Sequence, residues 1–207
     1  MKKTLHIVSG IPPDSSGTGR LLQHLVATRN DAPDWRLVFH YPPRQTSGIR
    51  QDLRKGRLGD ALRGGLEWLI VAIGRFWFKA TVAWLTRYGR GQLLVFHPQM
   101  LGFARSAHLL RRWQVPAFIF GLDNSFFCVR SYNHIDGEDQ ACLRCLDDGV
   151  DMANRMGCRP FPKPDPDAFA FILELAALAR SGQVGVLTQN TRNAALYRRF
   201  WGETARV

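Results

Sequence analysis

The sequence is poor in acidic side chains, and it lacks a long apolar run near its start. Its 207 residues include 17 Asp and Glu against 28 Lys and Arg, so the formal net charge is +11 at pH 7. Met1 to Thr4 lead directly into a short strand pattern, without the apolar core or the small-residue cleavage site of a secretory signal. We therefore expect a cytoplasmic protein whose surface favours anionic partners.

Several catalytic and nucleotide-binding signatures are also absent. The loop from Asp14 to Arg20 lacks the Gly-Lys-Ser/Thr ending of a P-loop, and Gly17-x-Gly19 lacks the third glycine of a dinucleotide fingerprint. Neither a Ser-His-Asp arrangement nor a catalytic carboxylate pair is legible. The composition, 45% hydrophobic and 22% charged, is too apolar for a disordered chain and fits one folded domain at this length.

The pattern of apolar residues alternates between strands and helices. Buried parallel strands are predicted at 5–8, 35–41, 93–97, 116–120 and 184–188. Helices are predicted at 20–26, 60–87, 103–113, 165–181 and 190–201, and the stretch 60–87 is one long helix or two. This alternation predicts an α/β fold with a Rossmann-like parallel sheet flanked by helices. Residues 123–164 break the alternation and form a long insertion.

All four cysteines lie in this insertion, at Cys128, Cys142, Cys145 and Cys158. Zinc prefers four soft or borderline ligands in a tetrahedron, and the C-x-x-C pair supplies two of them from one turn. A structural zinc ion would also explain how a loop of about 40 residues stays ordered inside a compact domain. The sequence therefore predicts a cysteine-rich, metal-stabilised insertion.

Other interpretations of the cysteines remain open. They could be buried thiols, disulfides, ligands of an iron-sulfur cluster or, in the C-x-x-C pair, a redox couple. His134 lies in the same segment and is a weaker candidate ligand than any of the four cysteines.

Three loops are expected to meet at the carboxyl edge of the sheet. The first contains Gly17, Gly19 and Arg20 after strand one, the second contains His97 after strand three, and the third contains Asp123 after strand four. Open α/β sheets bind their ligands at this edge, so these residues are candidates for a site. The alternatives are a plain turn and helix cap for the glycine loop, a structural histidine for His97 and a turn residue for Asp123.

More than half of the excess positive charge lies between Arg44 and Arg90. Apolar residues of the 60–87 helix recur at three- and four-residue steps, with Arg75 and Lys79 on the other side. One interpretation is a core helix with a solvated basic face. The other is a basic and aromatic surface that lies on an anionic membrane. A membrane span is disfavoured because Glu67, Arg75 and Lys79 interrupt the apolar stretch.

The sequence resembles the family 4 group of retaining glycosyltransferases, which have the GT-B fold and act in bacterial polysaccharide and glycolipid assembly. The resemblance rests on six stretches of the sequence: 5–8, 12–13, 17–20, 96–97, 116–130 and 186–191. Its most specific part is Asp123, Phe126, Phe127 and Cys128 followed by the other three cysteines, which is similar to a cysteine-bearing subset of the family.

The resemblance implies that residues 1–207 are the N-terminal, acceptor-side domain, and that a C-terminal domain binding the nucleotide-sugar donor would begin about where Val207 stands. Asp123 is then the catalytic candidate, His97 would orient acceptor or sugar, and Gly17, Gly19 and Arg20 would approach the donor phosphates. Residues 44–90 would attach the enzyme peripherally to the inner membrane. Without the second domain, residues 1–207 are expected to be inactive.

One position departs from the family pattern, because Leu122 stands where the family has a histidine that helps to position the transferred sugar. Two rival functions remain. A zinc-stabilised, basic nucleic-acid-binding module would use the charge and the cysteines, but the cysteine spacing fits no known finger and no nucleic acid is expected. A complete α/β enzyme acting on a small molecule is the second rival.

Overall fold

The computed structural model describes residues 2–14, 17–44, 58–132, 134, 141–161 and 164–207; for residues 58–64 it describes the backbone alone. Five parallel strands form one sheet in the order β2-β1-β3-β4-β5. The strands are β1 (Lys3–Ser9), β2 (Trp35–His40), β3 (Gln92–Phe96), β4 (Ala117–Gly121) and β5 (Val184–Thr188). The predicted α/β class with a parallel, helix-flanked sheet is confirmed.

Eight α-helices and a 3-10 turn at Arg29–Asp31 connect and follow the strands within the described residues. The helices are α1 (Gly17–Ala27), α2 (Leu58–Tyr88), α3 (Pro98–Leu101), α4 (Phe103–Arg112), α5 (Arg144–Asp148), α6 (Asp151–Arg155), α7 (Asp167–Arg180) and α8 (Thr191–Trp201). Helices α5 and α6 lie in the insertion, where the sequence pattern predicts none.

The connections between strands divide the helices between the two faces of the sheet. The chain passes from β1 outward to β2 and then moves in the opposite direction through β3, β4 and β5. Since such crossovers are right-handed, α1 covers one face, and α2, α4 and α7 cover the other. The alternate side chains of β3 agree with this division, because Leu93 and Val95 join the larger core and Leu94 and Phe96 pack with Leu22 of α1.

Helix α2 differs most from its predicted environment. Its apolar repeat forms one continuous helix of 31 residues, but among residues 65–88, whose side chains are described, only Val82 and Leu85 are fully buried. Gly74 lies against Pro43, three residues beyond the end of β2, so α2 passes the carboxyl edge of the sheet near this point. Residues 58–73 then extend about 24 Å further along the helix axis. The core-helix interpretation is therefore wrong for residues 65–73, none of which is buried.

Most boundaries differ from the predicted ones by a residue or two, and two differences affect the candidate site. Helix α1 begins at Gly17 rather than at Arg20, which places both loop glycines in its first turn. His97 does not extend β3. It has a left-handed backbone conformation, with φ of 49°, and stands at the N-cap position of α3. Both changes bring the chain closer to the sheet edge than the strand pattern indicates.

A pair of histidines connects β1 to its neighbour β2, the strand at the edge of the sheet. Nδ1 of His6 lies 3.1 Å from Nε2 of His40, and the two rings stack. Burial lowers the pKa of His40 to about 4, with a smaller contribution from the charge of His6. Burial likewise lowers the pKa of His6. Both rings are therefore neutral in the folded protein at neutral pH.

This pair predicts a loss of stability in mild acid. The unfolded chain takes up protons near the ordinary histidine pKa of 6.5, whereas folded His40 does so only near 4. The urea midpoint should therefore be highest above pH 6.5 and fall as the pH is lowered toward 4. His40→Gln should flatten this dependence, and His24→Gln, an exposed substitution in α1, should not. An unchanged slope in His40→Gln would assign the effect to other groups.

Candidate functional site

The candidate site lies where β1 and β3 end side by side at the carboxyl edge of the sheet. The chain leaves β1 toward one face and β3 toward the other, so a crevice opens between the two loops. The backbone N–H of Gly10 donates to the carbonyl of Phe96 at 3.0 Å and continues the β1–β3 pairing past the last strand residues. This edge is the predicted location of the site.

A side-chain hydrogen bond spans this crevice. Oγ1 of Thr18, in the first turn of α1, lies 2.8 Å from Nε2 of His97. The structure thus brings together the glycine loop and the end of β3, as the sequence analysis expects. Thr18 itself was not among the predicted site residues, although it stands between Gly17 and Gly19.

His97 occupies an unusual backbone conformation for a residue with a side chain. The left-handed region costs a non-glycine residue on the order of 1–3 kcal/mol, and such residues cluster at functional sites. The carbonyl of His97 accepts from the N–H groups of Met100 and Leu101, which holds the turn into α3. Burial lowers the pKa of His97, and the nearby charge of Asp123 opposes this effect. The imidazole is therefore neutral at neutral pH, when one nitrogen donates and the other accepts.

Asp123 follows β4 and lies within electrostatic range of His97. Its Oδ1 accepts from the backbone N–H of Ser125 at 2.9 Å, and its carbonyl accepts from the hydroxyl of Tyr197. The Tyr197 side chain is fully buried, and burial, with a smaller contribution from Asp123, raises its pKa well above the ordinary value. A buried phenol on α8 therefore fixes the backbone that presents the Asp123 carboxylate.

Gln99 is a candidate site residue that the sequence analysis missed. Its Nε2 donates to Oγ of Ser125 at 2.6 Å, which ties α3 to the loop after β4. Its Oε1 is buried and accepts no hydrogen bond from the described residues. The only sequence signal for this residue is its position two residues after His97.

The predicted glycines and Arg20 have different environments. Gly19 is buried, and a Cβ there would lie less than 3.0 Å from the backbone N of Asp14. A Cβ on Gly17 would meet nothing within 4 Å, and Arg20 is exposed. Gly19 therefore serves a close contact within the loop, whereas Gly17 and Arg20 face solvent beside the crevice.

A cavity of about 680 Å³ lies in the insertion. Its wall includes Arg130, Tyr132, Arg159 and Phe161, and the two aromatic rings meet edge to face with centroids 5.1 Å apart. The backbone N–H of Asn124 donates to the carbonyl of Ser131 at 2.9 Å, so the segment that carries Arg130 and Tyr132 returns to the residue after Asp123. A backbone hydrogen bond therefore ties the segment that lines this cavity to the loop that carries Asp123.

The four cysteines are thiols and lie near one another. Cys128, Cys145 and Cys158 all pack against the larger hydrophobic core. Burial, with smaller contributions from the other three cysteines, raises the pKa of Cys145 to about 11. Distant segments of the insertion thus converge on one place, as the zinc prediction requires.

The arrangement of these thiols is nevertheless not that of a formed metal site. Among the described residues, no group of three or more His, Cys, Asp or Glu side chains could hold a metal ion. Electrostatic influence extends further than a metal–ligand bond, so the two observations are compatible: the thiols are neighbours without a tetrahedral arrangement. His134, the weaker candidate, lines the adjoining cavity. The zinc site stays a prediction.

The basic segment is only partly described. Residues 45–57, with Arg50, Arg54, Lys55 and Arg57, lie outside the described residues, as do Ser15 and Ser16 of the glycine loop. In the described part, α2 contains the stretch Gly65–Tyr88, whose length and mean hydropathy of 1.3 would suit a membrane span.

Fold and site together define an α/β domain whose polar residues meet at the β1–β3 switch point beside a cysteine-bearing loop. No family model matches the chain, and neither a curated protein nor a solved structure matches it.

The close approach of the backbone after β3 to Gly10 predicts that one added methyl group at this position strongly destabilises the fold. A Cβ on Gly10 would lie less than 3.0 Å from backbone atoms of His97, Met100 and Leu101, which cannot move independently of the site. Gly10→Ala should lower the free energy of unfolding by about 2 kcal/mol or more, as overpacking does. Gly17→Ala, with open space around its Cβ, is the matched control and should be neutral. Equal urea midpoints for the two variants would contradict the close approach.

The cysteine cluster predicts metal binding on purification. Elemental analysis should find about one zinc ion per chain, and a strong chelator should free four reactive thiols and reduce folded structure. Cys145→Ser should lose the zinc, and His134→Gln should retain it. Four thiols that react freely in metal-free, natively folded protein would exclude a structural zinc site.

Proposed function

We propose that this chain is the N-terminal, acceptor-side domain of a two-domain retaining glycosyltransferase of the GT-B type, in bacterial polysaccharide or glycolipid assembly. The observation that carries this proposal is the Thr18–His97 hydrogen bond across the β1–β3 switch point, with Asp123 in electrostatic range. In open α/β sheets this crevice is where ligands bind.

The chemistry of the crevice suits a sugar. Each sugar hydroxyl both donates and accepts hydrogen bonds, and a neutral imidazole, a threonine hydroxyl, a carboxylate and an amide provide the matching groups. His97, Thr18, Asp123 and Gln99 are these groups, on the loops after β1, β3 and β4. Such a set would hold an acceptor or a transferred sugar by its hydroxyls.

In this proposal the transferase links a sugar from a nucleotide donor to a hydroxyl of a glycan or a lipid-linked acceptor. Asp123 is the proposed catalytic residue, because its carboxylate is fixed by Ser125 and by the Tyr197 contact to its carbonyl. His97 would orient the acceptor or the sugar. Gly17, Gly19 and Arg20, in the first turn of α1, would present N–H groups and a cation to the donor phosphates.

Leu122 stands where the resemblance leads us to expect a histidine. The proposal therefore assigns no role to Leu122. The imidazole whose pKa responds to the charge of Asp123 is that of His97, which follows the neighbouring strand β3. The donor itself would be bound mainly by a second domain.

Helix α2 supports the further proposal that the enzyme lies peripherally on an anionic membrane. Eight large apolar side chains, each 48–66% exposed, fall within about 120° of the helix circumference. We call them the apolar stripe: Leu66, Leu69, Ile70, Ile73, Phe76, Trp77, Trp84 and Tyr88. Because Val82 and Leu85 on another side of α2 belong to the core, the helix would lie on the bilayer with its stripe rather than cross it.

The rival nucleic-acid-binding function draws on the same positive charge. Its base-stacking residues would have to be exposed aromatic rings on a basic groove. Four exposed rings of α2, those of Phe76, Trp77, Trp84 and Tyr88, stand among Leu and Ile side chains in the apolar stripe, which suits lipid better than a strand of bases. Trp68 is also exposed but lies outside the stripe.

Ligand binding by the isolated chain tests the proposal without requiring turnover. In NMR titrations, a member of a panel of hexose glycosides should bind saturably and perturb resonances of the crevice, whereas uridine diphosphate should bind weakly or not at all. His97→Asn should abolish the sugar effect, because asparagine tolerates the left-handed backbone but lacks the imidazole. His24→Gln is the control and should bind normally.

The same titration separates the rivals. Retention on random DNA duplexes that weakens with salt, without sugar binding, would support the nucleic-acid-binding module. Tight nucleotide binding or turnover by these residues alone would support a complete α/β enzyme. Either result would overturn the acceptor-domain proposal.

A further inference from the structure

A basic cleft lies between the C-terminal ends of α2 and α4, at the opposite edge of the sheet from the candidate site. Its volume is about 630 Å³, and it continues into a smaller cavity of about 310 Å³ that shares Arg87 and Gln114 with it. We define the basic cleft by Arg87, Arg90, His108, Arg112 and Gln114. All of its lining residues belong to the described part of the chain.

The cations of this cleft have no acidic partner among the residues that the structure describes. Arg87 instead lies over the ring of Tyr88, with its guanidinium carbon 5.6 Å from the ring centroid. By contrast, Arg111, the neighbour of Arg112 on α4, pairs with Glu174 at 3.2 Å. The cleft therefore concentrates positive charge without internal compensation.

Helix dipoles explain only part of this arrangement. Arg87 and Arg112 stand in the last turns of their helices, where cations stabilise the carbonyl ends. That effect does not require a cleft between the two helices, nor the amide of Gln114 and the imidazole of His108 in its wall. Together these groups form a set of hydrogen-bond donors suited to an anion with several oxygens.

The cleft is continuous with the apolar stripe of α2. Tyr88 belongs to both, since it is an exposed member of the stripe and lines the smaller cavity. Ala83 and Thr86, which lie one residue before and two residues after Trp84, line the larger cavity. An apolar surface that ends in a basic cleft matches a ligand with acyl chains and an anionic headgroup.

From this continuity we propose that the basic cleft binds the phosphate headgroup of an anionic phospholipid while the apolar stripe lies among the acyl chains. The inference rests on the proposed membrane association and adds its headgroup specificity. The phosphate oxygens would accept from Arg87 and Arg112, with Arg90 and His108 at the margin. Trp84 and Tyr88 would stand at the level of the headgroups, where such rings are favoured.

Vesicle flotation of the full chain tests this assignment. Phosphatidylcholine vesicles with and without phosphatidylglycerol are compared for the wild type and for two charge-matched double variants. Arg87→Gln/Arg112→Gln removes two charges from the cleft, and Arg155→Gln/Arg192→Gln removes two exposed charges elsewhere. The cleft variant should bind anionic vesicles about 30-fold more weakly, from the contribution of two arginines at an anionic surface, and the control variant should lose much less.

Equal losses in the two double variants would mean general electrostatic attraction and would overturn the headgroup site. Circular dichroism and the urea midpoint show whether each variant is folded. A third variant, Ile73→Ser/Trp77→Ser, should weaken binding to vesicles with and without phosphatidylglycerol, because it affects the stripe alone.

Glycerol 3-phosphate distinguishes a lipid from a free phosphate ligand. If glycerol 3-phosphate competes only weakly with anionic vesicles for binding to the protein, the headgroup assignment is supported. Saturable binding of glycerol 3-phosphate by a protein that does not bind vesicles would overturn it. The sugar titration at His97 needs no vesicles, so failure of the proposed transferase function is seen independently of this result.

Discussion

The close approach of the loop after β1 to the turn after β3 is the constraint on which the candidate site depends. Gly10 has backbone atoms of His97, Met100 and Leu101 where a side chain would begin, and only glycine permits this contact. That contact lets His97 turn into α3 with a left-handed backbone and meet Thr18 on the opposite loop. Asp123, held through Ser125 and Tyr197, completes the crevice from β4. The site is thus built from backbone contacts first, and its polar side chains follow from them.

Helix α2 differs from the candidate site because it leaves large apolar side chains exposed instead of forming close contacts. The domain buries only one side of its C-terminal half, and the apolar stripe remains in contact with water. Fully burying a leucine, isoleucine or phenylalanine side chain stabilises by about 1.5–3 kcal/mol, so a stripe of this size represents a large free energy available for association. The basic cleft at one end of the stripe supports the proposal that the stripe associates with an anionic lipid surface. The basic cleft and the candidate site lie at opposite edges of the sheet.

The cysteine-bearing insertion contributes to the stability of the domain through its packing against the main core. The loop leaves the sheet after Asp123 and packs three of its four cysteines against the main core, and the two short helices α5 and α6 complete it. A metal ion would lock this arrangement. Without one, the raised pKa of Cys145 keeps its thiol protonated in a crowded, half-buried environment. The cavity lined by Arg130 and Arg159 depends on the same loop.

The sequence by itself determined the class of fold, the five strands and the edge at which Gly17, Gly19, His97 and Asp123 stand, because buried parallel strands and amphipathic helices have distinct apolar periods. It also determined that the α2 segment is helical, since helical periodicity is a local property, but it left open whether the segment is one helix or two, and the structure shows one. Only the tertiary structure decided that the apolar side of α2 faces solvent, because the period of a pattern does not say what covers it. Tertiary structure likewise decided the Thr18–His97 contact and the role of Gln99 and Tyr197, which depend on how residues distant in sequence are brought together by the strand order.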